Sequence, residues 1–469
     1  MATYNSAGSG NFNVDATWTE TGHPSTGDTA VIASGHTVTM TADDAVGSID
    51  IQGTLTTDGT ARTLTLDANA QGYICEHRGT VSTTINLVIN SDFAGNKLIR
   101  LNGTSGNFND VSITLQSSSR VLEYVENTTI DGDLTINVGE FQHFSSSFSL
   151  DVQGDCTINN TGKLDGGAGS IELGSLTINS GGTYVATSGT TTITNENSSN
   201  YAIQNNGTFT HNSGTVSIET ADHTSMAWSS ANQRFNNLTI NLGASARSFT
   251  QAGGIGDTDN KYIEGALQII NSTYNVNNLE LRVDGDVTLS TNAVLNGATG
   301  DVKFGTLKVE SGTTYNATSG TTSLNAAGQG HSGNPSAMEI VSGGTFTHNN
   351  GTIKFNGITD QDIEMDGTGN FYNLTLDKTN NDVIMHPNVT IENNLDVTLA
   401  SDHTLRPAST SNTVTVLNQT ILRAGQIGAT TAYDANHNWG TLTILGGTFI
   451  VGSGTNEVTA IRNVGGTIS

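Results

Sequence analysis

The chain has 469 residues, of which 34% are hydrophobic and 13% charged, with 55 glycines and only 4 prolines. Disordered chains carry high charge or many prolines, so this Thr, Asn, Ser and Gly mass, interleaved with Ile, Leu and Val, reads as many short strands joined by tight turns. Forty-three acidic against 17 basic residues give a formal charge of −26, which argues against nucleic acid and anionic lipid as partners.

In chain order, the first thirty residues show neither a basic n-region nor an apolar h-region, so no secretory signal is expected and synthesis starts in the cytoplasm. No run of about 18 apolar residues follows, so no membrane insertion is expected. Residues 1–46 read as an N-terminal cap or attachment module. In GDTAVIASGHTVTM (27–40), Gly27–Asp28 and Ser34–Gly35 are turns and the residues between them alternate. Trp18 is placed to lie across the first coil as a lid, since repeat arrays need atypical ends. Residues 47–126 read as the first coils.

The stretches GDLTIN (132–137), GDCTIN (154–159) and GSLTIN (174–179) then repeat one pattern at a nearly even interval. Alternation along a strand sends Leu134 and Ile136 one way and Thr135 and Asn137 the other. The pattern returns as GALQII (265–270), GDVTLS (285–290) and GTLKVE (305–310). A recurrence of about 20 residues matches one coil of a β-solenoid, whose coils stack strand on strand in parallel. The expected core ladder is Leu134, Ile136, Cys156, Ile158, Leu176 and Ile178, continued by Leu267, Val287 and Leu307. Cys156 takes the slot of Leu134 and Leu176, so it reads as a small buried hydrophobe; with Cys75 it makes no disulfide framework.

A longer period overlies this one. TYVATSGTT (183–191) returns as TYNATSGTT (314–322), GTFTHNSGTV (207–216) as GTFTHNNGTI (344–353), and IDGDL (130–134) as IEGAL (263–267) and IENNL (391–395). The chain thus divides into superrepeat 1 (127–261), superrepeat 2 (262–388) and a truncated superrepeat 3 (389–469), each full copy comprising about six such coils. The expected fold is all-β, a single-stranded parallel β-helix (β-solenoid) with an N-terminal β cap. At about 4.8 Å between coils it would be about 100 Å long. The last coil ends within a turn, and an open strand edge invites a partner, a second subunit or further coils.

Candidate chemistry is sparse. In DQDIEMDG (360–367), Ile363 and Met365 are expected inward, leaving Asp362, Glu364 and Asp366 on one solvated outward face. Adjacent outward residues lie about 6.6 Å apart, within the range of paired carboxylates that cleave glycans. The corresponding stretch SSANQRFNNL (229–238) lacks the acids, so catalysis is not expected. DGGAGSIEL (165–173) and GDTDN (256–260) are loose calcium-loop candidates that read as turns. His211 and His348 occupy equivalent places in GTFTHN, too far apart to share a metal, and read as structural. No cofactor or metal is expected.

The opening from Trp18 through Pro24 to GDTAVIASGHTVTM resembles the glycine-rich first module of large bacterial and viral surface proteins built as right-handed parallel β-helices. FYNLTLD (371–377) and VTIENNLDVTL (389–399) are similar to coils of repetitive adhesins and phage fibre proteins. This resemblance implies a structural virion appendage of a bacteriophage, a fibre, a spike or a capsid or tail decoration, often homotrimeric. Its partners would be other virion proteins at one end of the rod and a host surface glycan or protein. A bacterial cell-surface adhesin is the alternative, and a polysaccharide-cleaving spike a more distant one.

Overall fold

The structure, a computed structural model, describes residues 2–67, 72–91, 95–145, 147–229, 233–253, 262–325, 336–428, 436–451 and 454–469. The chain forms two compact units, Met1–Gln233 and Arg234–Ser469. Both are parallel β-solenoids, together amounting to about 19 turns. One 3-10 turn, Asp15–Thr17, is the only helix among the described residues.

In the first unit the strands pair in parallel so that Leu64, Leu87, Val111, Leu134, Cys156, Leu176 and Ile203 stack one above the next. Two residues along, Leu66, Ile89, Ile113, Ile136, Ile158 and Ile178 form a second aliphatic column. All are buried. The second column ends on Asn205, an inward amide whose polar atoms are bonded to Gln233 and to the Gly207 N–H. A buried polar side chain is tolerated when paired in this way.

Each letter of the repeated hexapeptide has a physical task. A Cβ on Gly154 would lie 2.7 Å from the Gly132 carbonyl oxygen, and one on Gly174 only 2.4 Å from that of Gly154. The glycines therefore stack where successive turns approach too closely for any side chain. The Asp133 carboxylate accepts the backbone N–H of Asp155 on the next rung at 2.8 Å, and Asp155 accepts the Ser175 hydroxyl at 2.7 Å. Asn159 donates to Asn137 and Asn179 to Asn159, an outward amide ladder along the axis. Gly174→Ala should accordingly lower stability by about 2 kcal/mol through forced overpacking, read as a lower denaturant midpoint with unchanged spectroscopic strand content.

Residues 1–46 supply the first rungs: Thr3 pairs with Thr29 and Thr29 with Ser48, in parallel. Trp18 is buried against Phe12, ring centroids 5.4 Å apart and edge-on, with its indole N–H donating to the Phe12 carbonyl. It also makes an antiparallel bridge to Ser6, against the parallel sense of the rungs.

In the second unit Leu267, Val287, Leu307, Met338, Ile363 and Met385 form one column. Leu395, the counterpart of Leu267 in the next superrepeat, stacks instead on Leu374 and Ile353, in the column that passes through Val302. The superrepeat is therefore not a whole number of turns, and equivalent residues of superrepeats 2 and 3 lie on different faces of the solenoid.

Candidate functional site

The acidic stretch is carried by the strand Gln361–Met365. Ile363 and Met365 are buried in the column, Glu364 is half-buried and Asp366 is exposed. Asp362 departs from the solvated face expected of it: it is 2% exposed. Its rung neighbours are Ser336 on one side and Ile384 on the other. Its Oδ2 lies 3.6 Å from Nε2 of His386, beyond hydrogen-bond length, and neither atom has a hydrogen-bond partner. Burial pushes the Asp362 carboxyl above the usual carboxylate range; the His386 imidazole opposes that shift and the Glu364 charge adds to it. Glu364 accepts the Ser336 hydroxyl at 2.5 Å and stacks between Glu339 and His386. The three acids thus do not share one solvent-facing surface, and a general acid hidden from solutes cannot touch a glycosidic oxygen.

One rung away, Lys378 is 3% exposed and spends its three donors on the carbonyls of Gly357 and Thr359 and on Oε1 of Gln361. Burial lowers its amine to about 8, against the pull of Asp360 and Asp382. Asn381 holds the Ile358 carbonyl of the same turn. A lone lysine in a polar turn gave no sequence signal for this role, because two of its three acceptors are backbone carbonyls of the preceding turn.

His211 and His348 perform one and the same turn. Nδ1 of His211 accepts the Ser213 N–H at 3.0 Å, and Nδ1 of His348 accepts the Asn350 N–H at 2.9 Å. The two residues that follow each histidine adopt positive φ, Asn212 and Ser213 in one copy and Asn349 and Asn350 in the other. Short polar residues are the ones that tolerate this conformation. The repeated TY-x-ATSGTT segments match as closely. The buried Tyr184 hydroxyl meets Thr191 at 2.7 Å, Tyr315 meets Thr322 at 2.7 Å, and Thr187 and Thr318 each accept the N–H two residues on at 3.0 Å. Tyr315→Phe should cost about 1 kcal/mol, since it leaves the buried Thr322 hydroxyl without its partner; Thr322→Val combined with it should recover much of that loss in chemical denaturation.

Of the two calcium-loop candidates, Asp165 closes its own turn by accepting the Gly167 N–H, and its second oxygen lies 3.1 Å from Lys163. Residues 256–260 lie outside the described residues. Among the described residues no group of three or more His, Cys, Asp or Glu is placed to hold a metal ion. Cys75 and Cys156 are free and buried, and burial raises both thiols, that of Cys156 to about 12, which removes the thiolate that reactivity requires. No helix among the described residues is long and apolar enough to cross a membrane.

No family model, curated protein or solved structure matches the chain. Its function has to be read from its own geometry.

Proposed function

We propose that the protein is a structural component of a phage virion, a fibre, a spike or a decoration of capsid or tail, attached to other virion proteins at one end and meeting the host surface elsewhere. The observation that supports this most is what the superrepeats keep in common. They preserve the devices that hold rungs together, namely the Tyr–Thr hydroxyl pair and the histidine-closed turn. They do not preserve outward chemistry: the acids of 360–367 have no counterpart in 229–238. An array selected for stiffness repeats its fasteners, whereas a catalytic protein needs a single constellation on a scaffold. Each rung saturates its neighbour's backbone groups, so a chain of modest hydrophobicity still makes a stiff support.

Immunogold electron microscopy of virions produced in the source organism, with antibody raised against the whole chain, tests this. Label at fixed positions on capsid or tail is the expected result. Label confined to the bacterial envelope overturns it in favour of an adhesin. Shortening of host envelope glycan by the purified protein overturns the purely structural reading in favour of a cleaving spike.

A further inference from the structure

Two interior differences between superrepeats 1 and 2 fall beside each other in space. FNNLTINL (235–242) and FYNLTLDK (371–378) align residue for residue, so the place filled by Leu242 in one is filled by Lys378 in the other. Continuing the GTFTHN alignment sets Thr224 against Gln361. All four side chains are buried. Superrepeat 2 thus carries an amine and a carboxamide where superrepeat 1 carries an aliphatic chain and a hydroxyl.

Leu324, Phe355 and Leu376 stack on three successive rungs, and the turns after Phe355 and Leu376 hold Gln361 and Lys378. Nζ of Lys378 donates to Oε1 of Gln361 at 2.8 Å. A carbonyl bond is about 1.2 Å long, so the amine lies within about 4 Å of the amide carbon Cδ. A small shift closes this to the about 3–3.5 Å of a near-attack geometry. The amide is fixed on its other sides: Oε1 also accepts the Gly357 N–H at 3.0 Å, and Nε2 donates to the Leu324 carbonyl at 3.1 Å. A Cβ on Gly357 would lie 2.8 Å from Cδ, so a glycine is what lets the amide lie against this turn. Burying an ammonium is costly unless an opposite charge sits beside it, and Lys378 bonds only to neutral carbonyl oxygens. With its amine lowered to about 8 by burial, on the order of a tenth of the chains carry it neutral and nucleophilic at pH 7.

We propose that Nζ of Lys378 attacks Cδ of Gln361, so that the folded chain cross-links two successive turns through an amide bond. The Nζ–Cδ bond forms, the Cδ–Nε2 bond breaks, and Nε2 departs as ammonia with a proton shed by the attacking nitrogen. In net terms an ammonium and a carboxamide become a substituted amide and an ammonium ion, so no oxidant, cofactor or further reactant enters. The Gly357 N–H, already on Oε1, stabilises the charge that grows there in the tetrahedral adduct. The product removes a buried charge, which gives the fold a reason to favour it. Cys75 and Cys156 are both free, so this bond supplies between rungs what no disulfide does among the described residues. The inference stands independently of whether the protein belongs to a virion.

Mass spectrometry of the full chain, kept folded for several days at a pH of about 8, is the test. The expected result is that the bulk of the chains weigh one ammonia less than the sequence, and that proteolysis yields a branched peptide joining Gln361 to Lys378. Lys378→Leu, which restores the superrepeat 1 residue, should lack that peptide while keeping the circular dichroism of the wild type. Wild type held unfolded in denaturant should lack it as well, because nothing then positions the amine. A folded wild-type chain whose Gln361 and Lys378 stay in separate peptides overturns the proposal, whatever the variant does. Ammonia loss without the branched peptide also overturns it, since ring closure at an Asn–Gly pair then accounts for the mass. Formation of the peptide in the unfolded chain overturns the part assigned to the fold.

Discussion

Leu176→Ala should destabilise the first unit by about 3 kcal/mol and Leu176→Asp by well over about 4 kcal/mol, enough to open the rungs around it. Leu176 is fully buried between Cys156 and Ile203. Truncation to alanine leaves a void that both neighbours line, and a carboxylate there would have no partner of opposite charge in the column. The loss should also be local. A solenoid is close to one-dimensional, so each rung is stabilised chiefly by the rungs it touches. Hydrogen exchange should rise in the strands Leu150–Asp165, Ile171–Ile178 and Tyr201–Asn205 and remain at wild-type levels near Leu64 and Leu87. Uniform loss of protection along the whole first unit would show instead that its rungs unfold as one cooperative body. The outward neighbour Thr157, half-buried on the opposite face of the same rungs, provides the contrast: Thr157→Ala should cost less than about 1 kcal/mol.

Asp362→Asn should raise stability at neutral pH by about 1–2 kcal/mol. Asp362 is buried, its Oδ2 has no partner, and the nearest candidate, Nε2 of His386, is 3.6 Å away and equally unpartnered. An amide removes the desolvated charge and brings N–H donors toward that nitrogen. The pH dependence follows from the direction of the shift. The carboxyl is raised in the folded state, so between its ordinary range and its raised value the folded chain holds a proton that the unfolded chain has released. Unfolded chains then bind fewer protons, and stability falls as pH rises through that window. The Asp362 contribution is therefore most favourable on the acid side and is lost on approach to neutrality. Denaturant midpoints of wild type and Asp362→Asn should converge as pH is lowered and separate as it is raised toward neutrality. A gap independent of pH would mean that Asp362 does not titrate in this window.

Much of the ladder is legible in the sequence because alternation is a property of the strand itself. Once GDLTIN is read as turn and strand, Leu134 and Ile136 must share a face, and near-identical hexapeptides at a regular interval must repeat the choice. The matched turns at His211 and His348 are legible as repeats but not as mechanisms, since the ring-to-backbone bond depends on positive φ at the two residues that follow. Asp362 departs from expectation for a different reason. Alternation gives its outward parity correctly, but whether an outward side chain meets water depends on what the neighbouring rungs place over it. Here those are Ser336 and Ile384, each a full turn away along the chain.

By itself the sequence determined the all-β parallel solenoid, the residues that face its interior and the glycine and aspartate corners, because these are set by local backbone periodicity and by composition. Only the tertiary structure decided which residues become neighbours along the axis. The step from one rung to the next varies, being distinctly longer between Leu176 and Ile203 than between Cys156 and Leu176, and the superrepeat changes face between Leu267 and Leu395. The burial of Asp362 and the cradle around Lys378 both arise from that stacking, in which residues far apart in the chain are brought within a single hydrogen-bonded rise of one another.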